Sequence, residues 1–76
     1  MDDKQIDDLF FIKCPEDGKG SLRDEIYKLA ENGERVGHLI DRATAAKIGT
    51  RKQIRAAIYM GAKAKGSKFK LKETIE

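Results

Sequence analysis

The residues best suited to chemistry in this sequence form one basic and polar run between positions 50 and 59. Its functional side chains are Thr50, Arg51, Lys52, Gln53, Arg55 and Tyr59. An arginine can bridge O6 and N7 of guanine and a glutamine can pair with N6 and N7 of adenine, each contact contributing about 1–3 kcal/mol of discrimination between bases. A threonine beside the free backbone N–H groups at a helix start could hold a phosphate. The residue types in this run therefore indicate recognition of nucleic acid.

Further cations surround the run and suit phosphate groups, which they can neutralise without distinguishing bases. They are Arg42, Lys47, Lys63, Lys65, Lys68, Lys70 and Lys72. Residues 1–34 hold ten acidic and five basic side chains, whereas residues 35–76 hold three acidic and eleven basic ones. Such a basic half favours nucleic acid as a partner first and an acidic protein surface second. The alternative is a solvated face that only keeps the protein soluble.

Two short helices must position these side chains. Asp41 is suited to cap a helix over residues 42–48, which Gly49 interrupts. Thr50 is suited to cap a second helix over residues 51–60, which Gly61 ends. The apolar stripe of the second helix consists of Ile54, Ala57 and Ile58.

The same helical spacing predicts which side chains of the second helix face solvent. One exposed ridge consists of Arg51, Arg55 and Tyr59, the next of Lys52 and Ala56, with Gln53 near the helix start. Because the start of such a helix approaches the bases most closely, we expect these first residues to matter most.

Small residues at the junction predict that the two helices cross closely over a tight turn. Ala45 and Gly49 would allow the approach, and Ile54 with Ile58 would anchor the second helix. Over residues 41–71 this pattern resembles the helix-turn-helix of small phage regulators of the repressor and Cro class and of the DNA-binding tails of homing endonucleases. The resemblance implies that the second helix enters the major groove and that the strand after it acts like a wing. Ile54 lies nine residues after Ala45 rather than the ten of the common motif, so the turn is shorter or the helix begins earlier.

Weaker patterns predict the rest of the domain. Residues 1–8, with four aspartates, predict a flexible acidic tail. We expect a strand over residues 9–14 with a turn after it, a helix over residues 22–31, and a short strand or loop over residues 34–40. Alternation of lysine with apolar residues over 68–72 predicts a second strand, which pairs with the first across the helices.

The predicted fold is therefore a compact α+β domain. Three helices, including the helix-turn-helix, would pack with a small antiparallel sheet that pairs an N-terminal and a C-terminal strand. The domain would occupy residues 9–72, and residues 73–76 would form a C-terminal tail.

Length and composition exclude several classes of protein. Seventy-six residues leave no room for a separate catalytic lobe. The single cysteine, the acidic start and the absence of a long apolar run favour a cytoplasmic protein with no membrane association. His38 has no partner at metal-ligand spacing, and Cys14 is typical of a small core residue, so we expect no metal, no cofactor and no enzymatic activity.

Two functions remain. The first is a small DNA-binding transcriptional regulator of phage or mobile-element type, acting through the helix 51–60 as a homodimer or beside another protein. The second is a protein-binding modulator of transcription that attaches to host RNA polymerase or to another regulator. The shortness of the chain, the acidic tail, whose charge opposes DNA, and the turn that is one residue off the common pattern favour the second.

Overall fold

The computed structural model of the chain describes residues 2–13, 23–63 and 70–73. In these ranges the elements are α1 (Asp3–Asp7), β1 (Phe11–Lys13), α2 (Asp24–Leu29), α3 (Val36–Ala45), α4 (Arg51–Lys63) and β2 (Lys70–Lys72). β1 and β2 pair antiparallel, with Ile12 opposite Leu71. The predicted α+β fold with paired N- and C-terminal strands is confirmed, although the described ranges contain four helices where we expected three.

One apolar core joins the helices to the sheet. Its fully or almost fully buried members are Ile12, Ile26, Val36, Leu39, Ile40, Ala43, Ile54 and Ile58. Ile12 comes from β1, and the others come from α2, α3 and α4. Because an isolated two-stranded sheet is marginal in water, β1 and β2 depend on this packing against the helices.

Helix α3 begins earlier than the sequence suggested. We expected a strand or loop over residues 34–40 and a helix cap at Asp41, and both expectations are wrong, since α3 spans Val36–Ala45. The apparent alternation of Val36, His38 and Ile40 misled the prediction. Its apolar residues in fact follow the helical period, which places Val36, Leu39, Ile40 and Ala43 on the buried face.

Helix α1 lies within the segment for which composition predicted a flexible tail. Asp2 caps α1, because its side chain accepts a hydrogen bond from the Gln5 backbone N at 2.9 Å while the Gln5 side chain accepts one from the Asp2 backbone N at 3.0 Å. Asp7, at the end of α1, is fully buried. A Cβ on Gly37 would lie 2.8 Å from Oδ1 of Asp8, so the missing side chain lets α1 approach α3 closely. The capping box and the buried Asp7 stabilise α1, and the number of apolar residues in the segment could not indicate either of them.

The remaining boundaries differ by a few residues. Helix α4 continues to Lys63, and Gly61 lies buried inside it rather than ending it. The predicted helix 22–31 is seen as α2, and the predicted strands are seen as β1 and β2. The expected turn after residue 14 and most of the linker before β2 lie outside the described residues.

A buried glutamate fixes the start of α3. Glu34 is only 8% exposed, and its carboxylate accepts hydrogen bonds from Arg42 Nη1 at 2.6 Å and from the Glu31 backbone N at 3.1 Å. His38 Nδ1 lies 2.9 Å from the same carboxylate, with the ring largely exposed. The hydrogen bond from Arg42 and the charge of Glu34 raise the pKa of the Arg42 guanidinium. Arg42 is therefore held in an ion pair with Glu34 within the domain.

Replacing Glu34 with glutamine should destabilise the protein. An amide cannot accept from both Arg42 and the Glu31 backbone N with the strength of a carboxylate, and we expect the melting temperature to fall by about 4–8 °C, the effect of losing one net hydrogen bond in a domain of this size. Thermal unfolding followed by circular dichroism checks this. Glu31→Gln, on an exposed neighbour, serves as the control, and an equal shift in both variants would contradict the role of the buried carboxylate.

Candidate nucleic-acid interface

The α3–α4 junction sets the position of α4. Lys47 adopts a left-handed backbone conformation with φ of 59°, and the Ile48 backbone N donates to the Ala43 carbonyl at 3.2 Å. Thr50 then caps α4, because its Oγ1 accepts from the Gln53 backbone N at 3.2 Å while Gln53 Oε1 accepts from the Thr50 backbone N at 3.1 Å. This reciprocal capping box satisfies two backbone donors of the junction and fixes the start of α4.

The close packing of α3 on α4 uses a different alanine from the one predicted. Ala43 is fully buried, whereas Ala45 is exposed. Ile54 and Ile58 are fully buried and anchor α4, as their spacing predicted. The prediction that Ala45 permits the close approach is therefore wrong, because the earlier start of α3 turns Ala45 away from the core.

The solvent-facing surface of α4 differs in part from the predicted one. We call it the outer face, and it consists of the exposed residues Lys52, Gln53, Ala56, Met60 and Lys63. The second predicted ridge, Lys52 with Ala56, lies on it. The first ridge is engaged within the fold, since its three members contact acidic residues of other elements.

Arg51 is the most available member of that first ridge. Its Nη1 pairs with Oδ1 of Asp41, and its side chain remains 42% exposed. An ion pair at this exposure contributes only about 0–1 kcal/mol. Arg51 can therefore exchange Asp41 for a phosphate or a guanine edge at little cost.

Arg55 and Tyr59 hold α1 against α4. The Arg55 Nε donates to Asp7 Oδ1 at 3.0 Å, and the Tyr59 hydroxyl donates to the same oxygen at 2.7 Å. Arg55 Nη2 also lies 3.7 Å from Asp3 Oδ1, and its guanidinium lies over the Tyr59 ring, 4.8 Å from the centroid. We call Asp7, Arg55 and Tyr59 the Asp7 cluster. Its geometry gives Arg55 and Tyr59 a structural task in joining α1 to α4.

The cations expected to contact phosphates are dispersed. Lys47 is exposed in the turn, Lys63 is exposed at the end of α4, and Lys72 is half-buried in β2. Arg42 is bound to Glu34. Lys70 lies in β2, while Lys65 and Lys68 lie outside the described residues. Of these cations, Lys47 lies in the turn between α3 and α4, and Lys63 lies on α4 together with Lys52.

Sequence reasoning missed three residues that shape this region. Met60 is 72% exposed in the outer face, and it lay within the predicted helix 51–60, four positions after Ala56 on the predicted second ridge, which could have placed it there. Glu34 sits four positions before His38 and eight before Arg42, a helical spacing that could have indicated the cluster. The burial of Asp7 had no signal, since its partners lie 48 and 52 positions away.

Burial and hydrogen bonding make Tyr59 hard to ionise. Desolvation of the hydroxyl, followed by its hydrogen bond to Asp7 and the charge of that carboxylate, raises the pKa of Tyr59 well above its usual value. Folding therefore favours the neutral phenol. The resulting stabilisation is fully present below about pH 10, the ordinary tyrosine pKa, and is lost as pH rises beyond it.

The titration of Tyr59 can be isolated by difference. The tyrosinate absorbance of the wild type minus that of Tyr59→Phe gives the titration of Tyr59 alone. In the folded protein its midpoint should lie at a pH well above the midpoint of the same difference curve measured in urea. A difference curve with its midpoint near pH 10 in the folded protein would show that the hydroxyl is not held by Asp7.

The charge of α4 is wholly positive. Its thirteen residues include Arg51, Lys52, Arg55 and Lys63 and no carboxylate. Asp3 and Asp7 neutralise Arg55, so the outer face and the turn carry the remaining positive charge. This surface can attract a polyanion, and its exposed amide at Gln53 can form hydrogen bonds with base edges.

Comparisons with protein-family models, with curated proteins and with solved structures give no match to this chain. Across the described ranges, no helix has both the length and the apolar character needed to cross a membrane. In the same ranges, no three side chains of the ligand-forming types come together in a way that could hold a metal ion.

Proposed function

We propose that the protein is a small DNA-binding regulator that inserts the outer face of α4 into the major groove. The observation that carries this proposal is the two-sided character of α4. Ile54 and Ile58 are buried against the core, while Lys52, Gln53 and Ala56 project from the first two turns into solvent. A helix anchored on one side and polar on the other at its N-terminal end has the shape that major-groove recognition requires.

The arrangement of α3, the turn and α4 supports a helix-turn-helix interpretation. The two helices pack through Ala43, Ile54 and Ile58, and the turn between them is closed by the Thr50–Gln53 capping box. In this interpretation α3 crosses the sugar–phosphate backbone, and Lys47 in the turn contacts a phosphate.

In this proposal the side chains of the outer face and of the turn have different roles. Gln53 is the base-contacting residue, since its Nε2 can donate to N7 of adenine while its Oε1 caps α4, and Arg51 can reach guanine once it leaves Asp41. Lys47, Lys52 and Lys63 neutralise phosphates. Because one module this small buries little surface, a homodimer or an adjacent DNA-binding protein would supply the second half-site.

The decisive experiment compares Gln53→Glu with wild type. Bound duplexes are first recovered from a random-sequence pool and sequenced, and affinities are then measured by fluorescence anisotropy on an enriched duplex. Glutamate preserves the capping box but cannot donate to adenine and repels the phosphates, so we expect affinity to fall about tenfold or more. Gln5→Glu makes the same change in the capping box of α1 and should alter affinity by no more than about twofold after screening by salt.

Salt dependence provides the second measurement. With Lys47, Lys52 and Lys63 at about three phosphates, affinity should fall about fortyfold between 50 and 200 mM salt. Lys52→Gln should reduce the slope by about one contact. The proposal is overturned if no duplex is enriched, or if Gln53→Glu binds as tightly as wild type while circular dichroism shows both to be folded.

Met60 favours a protein partner as the second candidate. A methionine that is 72% exposed beside Lys52 and Lys63 could serve as an apolar anchor for a protein such as RNA polymerase. The variant Met60→Lys separates the two functions. It adds a cation and should preserve or strengthen DNA binding, whereas it should weaken co-sedimentation with purified bacterial RNA polymerase.

A further inference from the structure

Gly49 is a point of close approach in the turn between α3 and α4. Among the described glycines the positive φ belongs to Gly33, so the backbone conformation at Gly49 does not itself require a glycine. A Cβ built on Gly49 would lie 3.1 Å from Oε1 of Gln53 and 3.6 Å from Nη1 of Arg23. The missing side chain therefore leaves room for two polar side chains, one from α4 and one from the residue that precedes α2.

This approach brings Arg23 to the start of α4. Arg23 lies 26 positions before Gly49 in the sequence, yet its guanidinium lies beside the turn and beside the amide of Gln53, the base-contacting residue of the proposed function. Helix α2 packs against α3 and contributes Ile26 to the core. The packing of α2 therefore places a cation from outside the α3–α4 pair next to the residue that reads the base.

The charge of Arg23 is weakly engaged within the fold. Its side chain makes no capping hydrogen bond to α2 and is 49% exposed. Its Nε lies 3.9 Å from Oε2 of Glu25, whose side chain is 61% exposed. An ion pair of this length and exposure contributes little, so Arg23 can exchange Glu25 for a phosphate with little loss. A guanidinium also matches the geometry of a phosphate, to which it can donate two parallel hydrogen bonds.

From this arrangement we infer that Arg23 binds a DNA phosphate beside the base that Gln53 contacts, and that it thereby fixes the register of α4 in the major groove. The inference rests on the proposed function and extends it beyond the α3–α4 pair. Phosphate contacts hold a protein in register without distinguishing bases. Arg23 adds one such contact to those of the three lysines of the turn and the outer face. Because it belongs to a different element, its contact also limits how α4 can turn within the groove.

The variant Arg23→Gln tests the inference through salt dependence. Affinities are measured by fluorescence anisotropy on the enriched duplex and on an unrelated duplex of the same length, at 50 and 200 mM salt. Because one phosphate contact changes the salt slope by about one, affinity should fall about tenfold at 50 mM and about threefold at 200 mM. The loss should be the same on both duplexes, since a phosphate contact does not distinguish bases. Gln53→Glu should instead reduce the preference for the enriched duplex.

Two further variants separate a direct contact from a general effect of charge. Lys28→Gln removes the same charge from an exposed side chain in the last turn of α2, and it should keep the wild-type slope and change affinity by no more than about twofold. Arg23→Lys keeps the charge and should keep the slope. The urea midpoint of Arg23→Gln should equal that of the wild type, because the side chain lies outside the core.

Each outcome of this experiment bears on a different claim. The inference is overturned if Arg23→Gln keeps the wild-type slope, if Lys28→Gln lowers the slope as much, or if the loss is confined to the enriched duplex. In these cases a loss of binding in Gln53→Glu would leave the proposed function standing. If no duplex is enriched, the proposed function and the inference are overturned together.

Discussion

Replacing Arg55 with alanine should destabilise the fold by about 3–5 kcal/mol, because it leaves the carboxylate of Asp7 buried without its cation. Asp7 is fully buried and accepts from both Arg55 and Tyr59, while Arg55 is 28% exposed. The two partners are therefore not equivalent. Urea unfolding followed by circular dichroism gives the free energy of unfolding that tests this expectation.

Replacing Asp7, the other partner of this ion pair, should destabilise the fold less. Asp7→Asn keeps an acceptor for Tyr59 and leaves an arginine that can reach water, so we expect a cost of about 1–3 kcal/mol. Combining Asp7→Asn with Arg55→Ala should recover part of the stability lost in the Arg55 variant, because the buried charge is gone.

Arg51→Ala is the matched control on the same helix. Its ion pair with Asp41 is exposed, and its loss should cost no more than about 1 kcal/mol. Equal destabilisation by the Arg51 and Arg55 variants would show that the Asp7 cluster contributes no more than a surface pair.

The second large effect is expected at Ile58. Its side chain is fully buried where α4 packs into the core, and Ile58→Ala removes three methyl and methylene groups whose space cannot be filled by neighbours. Substitutions of this kind cost about 2–5 kcal/mol. In a domain this small, such a loss should leave much of the protein unfolded at ambient temperature.

Met60→Ala distinguishes a core effect from a helix effect. Met60 lies two positions further along α4 and is 72% exposed, so its truncation should change the free energy of unfolding by less than about 0.5 kcal/mol. Similar urea midpoints for the two variants would mean that α4 is not packed as the structure shows.

The parts of the fold that the sequence predicted have strong local signals. The buried anchors Ile54 and Ile58 follow the helical period, and Thr50 is a residue that caps helices. The pairing of β1 with β2 was predicted from two short segments with apolar residues near opposite ends of the sequence. These signals come from neighbouring residues or from the need to bury apolar area.

The parts that were not predicted depend on polar contacts between residues far apart in the chain, or lie in segments whose apolar residues fit both a strand and a helix. The segment before Asp41 alternates over five residues as a strand does, but packing of Val36, Leu39 and Ile40 selects the helix. α1 has little apolar surface, and its buried Asp7 accepts hydrogen bonds from Arg55 and Tyr59. Spacing alone could not show that Arg55, on the surface of α4, donates to a buried carboxylate of α1.

The pairing of β1 with β2 also sets the order in which the protein can assemble. Ile12 and Leu71 are 59 positions apart, whereas α3 and α4 are adjacent in the chain. Closing so long a loop costs chain entropy that few contacts repay until the intervening helices are in place. We therefore expect the α3–α4 pair to form before the strands join.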